Sequence, residues 1–337
     1  MEASLYEALD EDRVRCHLCH HRCLIKEGGF GRCKVRQNTA GILESLVYSR
    51  LVAINPDPIE KKPLYHFMPG SLSYSIGSAG CNFQCAFCQN ADISQMPRQT
   101  GRIGGNVFSA ADVVSDALQS GCQTIAYTYT EPTINLEFAY DTSLLAHEKG
   151  LKNIFVSNGY MTPEAIDLIA PCLDAINIDL KAFNDNFYQE VCQARLEPVK
   201  ESLRLFRSKG VLVEITTLLI PGKNDDESEL KALAQFIASD LGPETPWHIS
   251  RFYPAYHMKS ASPTPVGTLT RAREIGLAAG LKYVYLGNAG GHPSENTYCP
   301  QCGKVVVGRA GHFNLKEYNI KDGCCRYCGT LIDGIDM

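Results

Sequence analysis

The chain has 337 residues, 45% hydrophobic and 20% charged, with 28 Gly and 17 Pro, so one or two compact domains with a sizeable core are expected and wholesale disorder or a collagen-like repeat is excluded. Thirty-two Lys and Arg against 37 Asp and Glu give a net charge of −5, which excludes a polyanion binder as a whole but not a local basic patch. No stretch approaches the ~18 apolar residues of a membrane span, and the opening MEASLYEALDED is acidic where a signal peptide is basic and then apolar, so a cytoplasmic location is expected.

Fifteen cysteines set the organisation. Without a secretory signal a disulfide scaffold loses most of its weight, and reduced thiols point to metal ligation. The first group is Cys16, Cys19, Cys23 and Cys33, spaced C-x2-C-x3-C-x9-C. Around it stand Arg13, Arg15, Arg22, Lys26, Arg32, Lys34 and Arg36 against a single acid, Glu27. Residues 1–54 therefore read as a small Cys-rich metal-binding module. Four thiolates close either a zinc site or an auxiliary iron–sulfur cluster. The basic residues either offset thiolate charge or dock an acidic partner or RNA. A Pro-punctuated connector over 55–70, containing NPDPIEKKP, is expected next.

From 71 to 290 short β-branched or aromatic runs alternate with amphipathic helical patterns about every thirty residues. Strands are predicted near 72–77, 124–129, 153–157, 175–180, 211–220, 247–252 and 283–287. Helical patterns between them include AADVVSDALQSG, LEFAYDTSLLAHEKG, KESLRLFRSKG, DESELKALAQFIAS and TRAREIGLAAG, several closing on a Gly suited to the C′ position. Strand then helix, six times over, predicts a parallel sheet, open or curled into a partial barrel, with its ligand site where the strands' C-terminal ends feed their loops. Immediately after the first of these strands stands GCNFQCAFCQN, with Cys81, Cys85 and Cys88 spaced C-x3-C-x2-C. A closed zinc site takes four protein ligands, whereas three thiolates on a 4Fe–4S cluster leave one iron open. Zinc completed by a distant residue is the alternative, and the position at the sheet's carboxyl edge favours the cluster. Asp179 and Lys181 in NIDLK are i and i+2 on a strand, so they share one face at the sheet mouth. His248 and Arg251 in WHISRFYP are candidates for substrate contacts that their types alone do not separate from packing groups.

NAGGHPSEN, residues 288–296, reads as a linker into a zinc-ribbon-like appendage over 291–337. There CPQCG and CRYCG offer Cys299, Cys302, Cys325 and Cys328, with β-prone KVVVG and HFNLKEYNI between the pairs. Four thiolates satisfy a tetrahedral zinc ion with no open position, and Cys324 competes with Cys325 for one of them. The strays Cys122, Cys172, Cys192 and Cys324 are most simply small core residues.

Cys81, Cys85 and Cys88, with Phe87 before the third, resemble the cluster motif of radical S-adenosylmethionine (SAM) enzymes. The chain is similar to their pyruvate formate-lyase activating enzyme group, and within it to the AmmeMemoRadiSam-system subgroup. The similarity runs through the CxLCxxxC opening, DPIEKKPLYHFMPGS, YTYTEPT, VSNG, NIDLK, IPGKND and WHISRFYP. It implies an α/β fold, a partial (βα)6 TIM-like barrel of the radical SAM type, with the three cysteines on three irons and the fourth iron chelated by the amino and carboxylate groups of SAM. It further implies Phe87 near the adenine, Glu131 accepting hydrogen bonds from the methionine amino group, Ser157 and Asn158 on ribose or methionine, and Asp179 with Lys181 as a cradle for carboxylate and hydroxyls. The family's Gly-Gly-Glu here reads Tyr129-Thr130-Glu131. The implied activity is reductive cleavage of SAM to methionine and a 5′-deoxyadenosyl radical, followed by hydrogen abstraction, on a protein glycine by analogy with the activating enzymes. The implied partners are a low-potential electron donor and Memo-like and AMMECR-like proteins, with no membrane. Two rival readings are a radical SAM enzyme acting on RNA, gripped by the basic module and the ribbon, and a non-enzymatic zinc-binding scaffold.

Overall fold

The structure, a computed structural model, describes residues 1–311 and 315–337. Its centre is a sheet of eight strands: β1 (Ala53–Pro58), β2 (Leu72–Gly77), β3 (Thr124–Tyr127), β4 (Lys152–Ser157), β5 (Ala175–Asp179), β6 (Leu212–Leu219), β7 (Trp247–Arg251) and β8 (Val284–Gly287). They lie in chain order from edge to edge; β2 to β8 are parallel and β1 is antiparallel to β2. Helices α1 (Ala110–Gln119), α2 (Leu136–Glu148), α3 (Pro163–Ile169), α4 (Leu196–Ser208), α5 (Glu227–Phe236) and α6 (Val266–Ala278) each carry the chain from one parallel strand to the next. Neighbouring parallel strands joined through a helix are βαβ units. Among the described residues β1 and β8 pair with no strand of the opposite edge, so the array is an open barrel.

Local sequence explains the elements. All four residues of β3, TIAY, are buried, as a parallel strand covered on both faces requires. Ser109 caps α1 in a reciprocal box with Asp112, and α2 and α4 end before Gly150 and Gly210, both at φ 79°. Leu196, Val199, Leu203 and Phe206 form the buried stripe of α4. Among the described residues no helix is long and apolar enough to cross a membrane.

The segment expected to be a Pro-rich connector is instead part of the core. Pro56 and Pro58 lie in β1, and a sheet edge tolerates prolines that a central strand would not. Ile59, Leu64 and Phe67 then pack on Ala126, Ile154 and Ala175 inside the barrel. The C-terminal module docks on this plug: Ile335 exchanges backbone hydrogen bonds with His66 and Met68 (both 2.9 Å), and the Arg309 guanidinium lies 4.1 Å from the Tyr65 ring centre. Its strands include Val305–Arg309 and Leu315–Tyr318, while His312–Asn314 of the expected β-prone run lie outside the described residues. The N-terminal module, built on two small antiparallel sheets, packs near the other end of the barrel. Buried Arg36 pairs with Glu137 of α2 at 2.6 Å, and the His20 N–H donates to Tyr160 O at 3.1 Å, just past β4.

His248, expected as a possible substrate contact, is buried at the amino end of β7, where its Nε2 meets Glu214 of β6 at 2.6 Å. Glu214 also accepts the backbone N–H of Tyr65 (3.1 Å) and His66 (2.7 Å), so this carboxylate ties the plug to the sheet. Burial pushes its carboxyl up, but His248 and the other donors outweigh burial and hold it below its ordinary value. Its contribution is therefore complete above the ordinary carboxylate range and is lost as the pH falls through the depressed folded value. Glu214→Leu is expected to cost about 3–5 kcal/mol in urea unfolding at neutral pH, a difference that narrows as the pH is lowered through the carboxylate range.

Candidate active site

Gly77 ends β2, and a Cβ there would meet Thr128 O at 2.7 Å, so only glycine lets the loops after β2 and β3 lie this close. The loop that follows carries the central cysteines. Phe83 N–H donates to Cys81 Sγ at 3.3 Å, Cys88 Sγ lies 3.3 Å from Ser94 Oγ, and Gln84 and Ala86 donate their N–H groups to the carbonyls of Cys192 and Val191. Burial, the Glu131 carboxylate and the neighbouring Cys85 and Cys88 all push the Cys81 thiol well up; burial likewise raises Cys88. Cys85 goes the other way, the Cys192 thiol and the Lys181 ammonium holding it below its ordinary value, so one thiol of the three is poised to ionise and a cationic metal centre would favour the thiolate at the other two. The three sulfurs do not all lie within 4.8 Å of one another, unlike the four C-terminal ones.

Glu131 follows β3 and is 2% exposed. Its Oε1 accepts from Ser157 Oγ (2.7 Å), Thr133 Oγ1 (2.5 Å) and Thr133 N (3.1 Å); its Oε2 accepts from Asn158 N (2.8 Å). Burial still holds the carboxyl above its ordinary value. With one protein donor on Oε2, that oxygen retains an acceptor position. Asn158 Nδ2 donates to Asn82 Oδ1 at 2.7 Å and lies 3.9 Å from Cys81 Sγ, so the ends of β3 and β4 join the cysteine loop in one network. Tyr129, where the resembled family has glycine, takes φ 66°; its hydroxyl donates to Asp57 at 2.7 Å and its carbonyl accepts from Asn90 Nδ2 at 2.6 Å. These anchors hold a tyrosine in a conformation glycine adopts without cost.

Asp179, the last residue of β5, meets Lys181 Nζ at 2.9 Å. Burial opposes the Lys181 charge, but Asp179 and the thiols of Cys85 and Cys192 outweigh it and hold the ammonium above its ordinary value. The same ammonium lies 5.6 Å from the centre of the Phe87 ring, which is 5% exposed and packs on Phe187. Phe87 is thus covered by Lys181 and Phe187 as the chain stands. Asn224 of IPGKND fixes Lys181 by donating Nδ2 to its carbonyl at 2.6 Å. Cysteine spacing carries no sign of Cys192, a fully buried residue whose thiol hydrogen-bonds Cys85; only the fold brings residue 192 beside residue 85. Arg251 is not drawn into this group, its Nε donating to Thr264 O at 2.8 Å. Cavity size does not mark the site either. A cavity of about 660 Å³ lies at the opposite end of the barrel, lined by His66, Leu212, Thr245 and Asp333 among others.

The C-terminal cysteines make a second kind of site. Cys299, Cys302, Cys325 and Cys328 have all four sulfurs within 4.8 Å of one another, with Cys299 to Cys328 at 3.5 Å and Cys302 to Cys325 at 3.8 Å. Thiolates at ~2.3 Å from one tetrahedral ion stand ~3.8 Å apart, so the set fits a single metal ion. Cys324 lies outside it, bridged to Leu331. The N-terminal cysteines also converge, the Cys19 thiol being pushed up by burial and by Cys16, Cys23 and Cys33. Three of the seven basic residues around them are engaged within the molecule, Arg22 with Glu164 at 3.0 Å, Arg32 with Gln193 at 3.1 Å, and Arg36 with Glu137, while Arg15, Lys26 and Lys34 are exposed.

Residues 75–236 match the sequence profile of the Radical SAM superfamily. Over 334 residues the chain is 44% identical to an uncharacterized protein of Methanocaldococcus jannaschii, covering 98% of both chains. It is 25% identical over 175 residues to the pyruvate formate-lyase-activating enzyme of Listeria monocytogenes, covering 50% of this chain and 70% of that one. The crystal structure of a domain of pyruvate-formate lyase-activating enzyme from Bacteroides vulgatus aligns over 98% of its length with 48% of this chain, at 21% identity and a TM-score of 0.43.

The two candidates for the C-terminal ligand are separated by metal analysis. Cys325→Ser is expected to lose the ribbon's metal ion, and Cys324→Ser to keep it, when bound metal is counted after removal of weakly held ions.

Proposed function

Given that this chain forms one family with the Methanocaldococcus protein and carries a radical SAM domain homologous to the pyruvate formate-lyase activating enzymes, we propose that Cys81, Cys85 and Cys88 bind three irons of a 4Fe–4S cluster and that the residues ending β3, β4 and β5 bind SAM. The observation that carries this reading is that the loop of Cys81, Cys85 and Cys88, the Glu131–Ser157–Asn158 network and the Asp179–Lys181 pair all stand at the carboxyl edge of one sheet. When bound, cluster and SAM together supply a one-electron cleavage to methionine and a 5′-deoxyadenosyl radical, which takes a hydrogen atom from the substrate.

The chain's own residues bind and orient. Glu131 positions Ser157 and Asn158 through two short hydrogen bonds, and the remaining acceptor position on Oε2 suits an ammonium donor such as the methionine amino group. Lys181, held by Asp179 and Asn224, offers its ammonium to a carboxylate or hydroxyl, and Asp179, the more exposed of the pair, accepts from hydroxyls. Phe87 supports Lys181 from below; its role is that of a platform for the ammonium, and direct contact with adenine requires Lys181 to move. Burial of the thiols and of Glu131 excludes water from the place where a reactive species must be contained.

For the substrate, the homology to activating enzymes supports a glycine of a protein partner, served by a low-potential electron donor. Memo-like and AMMECR-like proteins are the partners to test by copurification. Zinc is assigned to the ribbon on the sulfur spacing. Of the basic module expected to grip an RNA substrate together with the ribbon, Arg22, Arg32 and Arg36 are paired with Glu164, Gln193 and Glu137, while Arg15, Lys26 and Lys34 are exposed.

Anaerobically reconstituted protein given dithionite and SAM is expected to form methionine and 5′-deoxyadenosine, and Cys85→Ala to form neither. Wild-type protein with a complete cluster that releases no 5′-deoxyadenosine contradicts the proposal. Lys181→Met removes one charge-assisted contact, so SAM binding should weaken by about 10- to 100-fold, read by equilibrium binding.

A further inference from the structure

We infer that Cys16, Cys19, Cys23 and Cys33 hold a second iron–sulfur cluster that passes electrons to the one at Cys81, Cys85 and Cys88; the relay rests on the function proposed for the latter. Three independent observations carry it.

The first is spacing. The N-terminal cysteines are drawn together by the backbone, Cys16 N–H donating to Cys23 O at 3.0 Å and Arg22 N–H to Cys19 O at 2.9 Å, while a Cβ on Gly31 would lie 3.6 Å from Cys33 Sγ. Yet among the described residues only the C-terminal cysteines form a group of three or more ligand atoms lying within 4.8 Å of one another. The N-terminal set is spread more widely, as is the central triplet. Thiolates bound to separate irons of a cluster stand further apart than thiolates sharing one tetrahedral ion. One chain thus shows two spacings, and the N-terminal set has the wide one.

The second is a pair of unused donors. Arg36 is wholly buried; its Nη2 donates to Glu137 at 2.6 Å, while Nε and Nη1 have no hydrogen-bond partner. It stands beside the cysteines: one point, a Cβ on Gly31, would lie 3.8 Å from Arg36 Cβ and 3.6 Å from Cys33 Sγ. A buried guanidinium with two idle donors is costly unless an acceptor fills the space beside it, and the thiolates and sulfides of an anionic cluster are such acceptors. Arg32 N–H already donates to Cys23 Sγ at 3.3 Å, a contact that tunes iron–sulfur centres elsewhere.

The third is adjacency. A Cβ built on Gly80, the residue before Cys81, would lie 3.3 Å from Cys33 O and 2.8 Å from a Val35 methyl, so the two cysteine-bearing loops touch. His21 Nε2 lies 2.9 Å from Asn82 O, and Arg98 Nη2 donates to Arg32 O at 2.6 Å. Arg98 also donates Nη1 to Gln95 Oε1, and Gln95 Nε2 donates to Phe83 O at 3.3 Å, so this side chain joins the residue before Cys33 to the loop of Cys81 and Cys85. One layer of packed protein therefore separates the two sets, a separation suited to electron transfer and unnecessary for a purely structural metal. Zinc, having no accessible second oxidation state, would do nothing with that proximity.

The transfer balances as one electron. A low-potential one-electron carrier protein reduces the N-terminal cluster. Passing that electron on oxidises this cluster back and reduces the central one by the same amount, with no bond made or broken.

Iron and sulfide counting on the anaerobically reconstituted full chain tests the assignment. The wild type should hold about eight irons and eight sulfides, and the triple variant Cys81→Ala, Cys85→Ala, Cys88→Ala about half of each. A wild type with about four irons, all lost in the triple variant, and with zinc in the N-terminal set overturns the inference while leaving the SAM-cleavage reading intact. About four irons that survive the triple variant overturn that reading instead. The relay has a readout that needs no variant: the fully reduced wild type should show magnetic coupling between two paramagnetic clusters by EPR, and two independent signals would overturn it. In a redox titration, Arg98→Gln should shift both midpoints to more negative potential, since it removes a cation near each; a shift in only one signal counts against adjacency.

Discussion

A thiol, Cys81, set beside the buried carboxylate of Glu131 is an electrostatic problem that the rest of this structure is arranged to solve. Burial and Glu131 both disfavour a thiolate at Cys81, and each neighbouring sulfur adds to the cost. Lys181 supplies one positive charge close to Cys85, and itself needs Asp179 to remain charged when buried. That leaves a deficit of positive charge which the proposed iron would make good. Three thiolates on the proposed cluster would leave one iron without a protein ligand, and the groups lining the approach suit a zwitterion: an acceptor on Glu131 for its ammonium and a donor on Lys181 for its carboxylate.

The fold delivers these groups by ending parallel strands at one edge. Cys81, Glu131, Ser157 and Asp179 come from the ends of four successive strands, and the hydrogen bonds from Ser157 and Asn158 to Glu131 lock the ends of β3 and β4 together. The opposite end has a different task. There residues 59–68 fill the barrel, Glu214 binds them to the sheet, and the C-terminal module closes over them through Arg309 and Ile335. Chemistry and stability are thereby separated along the barrel axis, the usual division in parallel β/α architectures.

How much of this was legible in the sequence follows from the range of the interactions. The seven parallel strands were, because each is a short buried run of β-branched and aromatic residues bounded by polar turns, and so was the placing of the cysteine triplet on the loop after the first of them, because its spacing is local. β1 was not: Pro56 and Pro58 carry the signature of a linker, and only the pairing with β2 shows that they stand on an edge. Residue type could not place His248 at the amino end of its strand beside Glu214, nor set Cys325 rather than Cys324 among the ribbon's sulfurs. Cys192 beside Cys85 and Arg36 beside Glu137, 101 residues away, are products of tertiary packing with no periodic or local trace.

The central claim is that one iron of the cluster at Cys81, Cys85 and Cys88 is open to SAM. It is tested most directly by electron–nuclear double resonance on the reduced protein with SAM labelled by ¹⁵N in its amino group and ¹⁷O in its carboxylate. Hyperfine coupling of both labels to the cluster is the predicted result. A cluster whose spectrum shows no coupling to either label when SAM is bound would contradict the account.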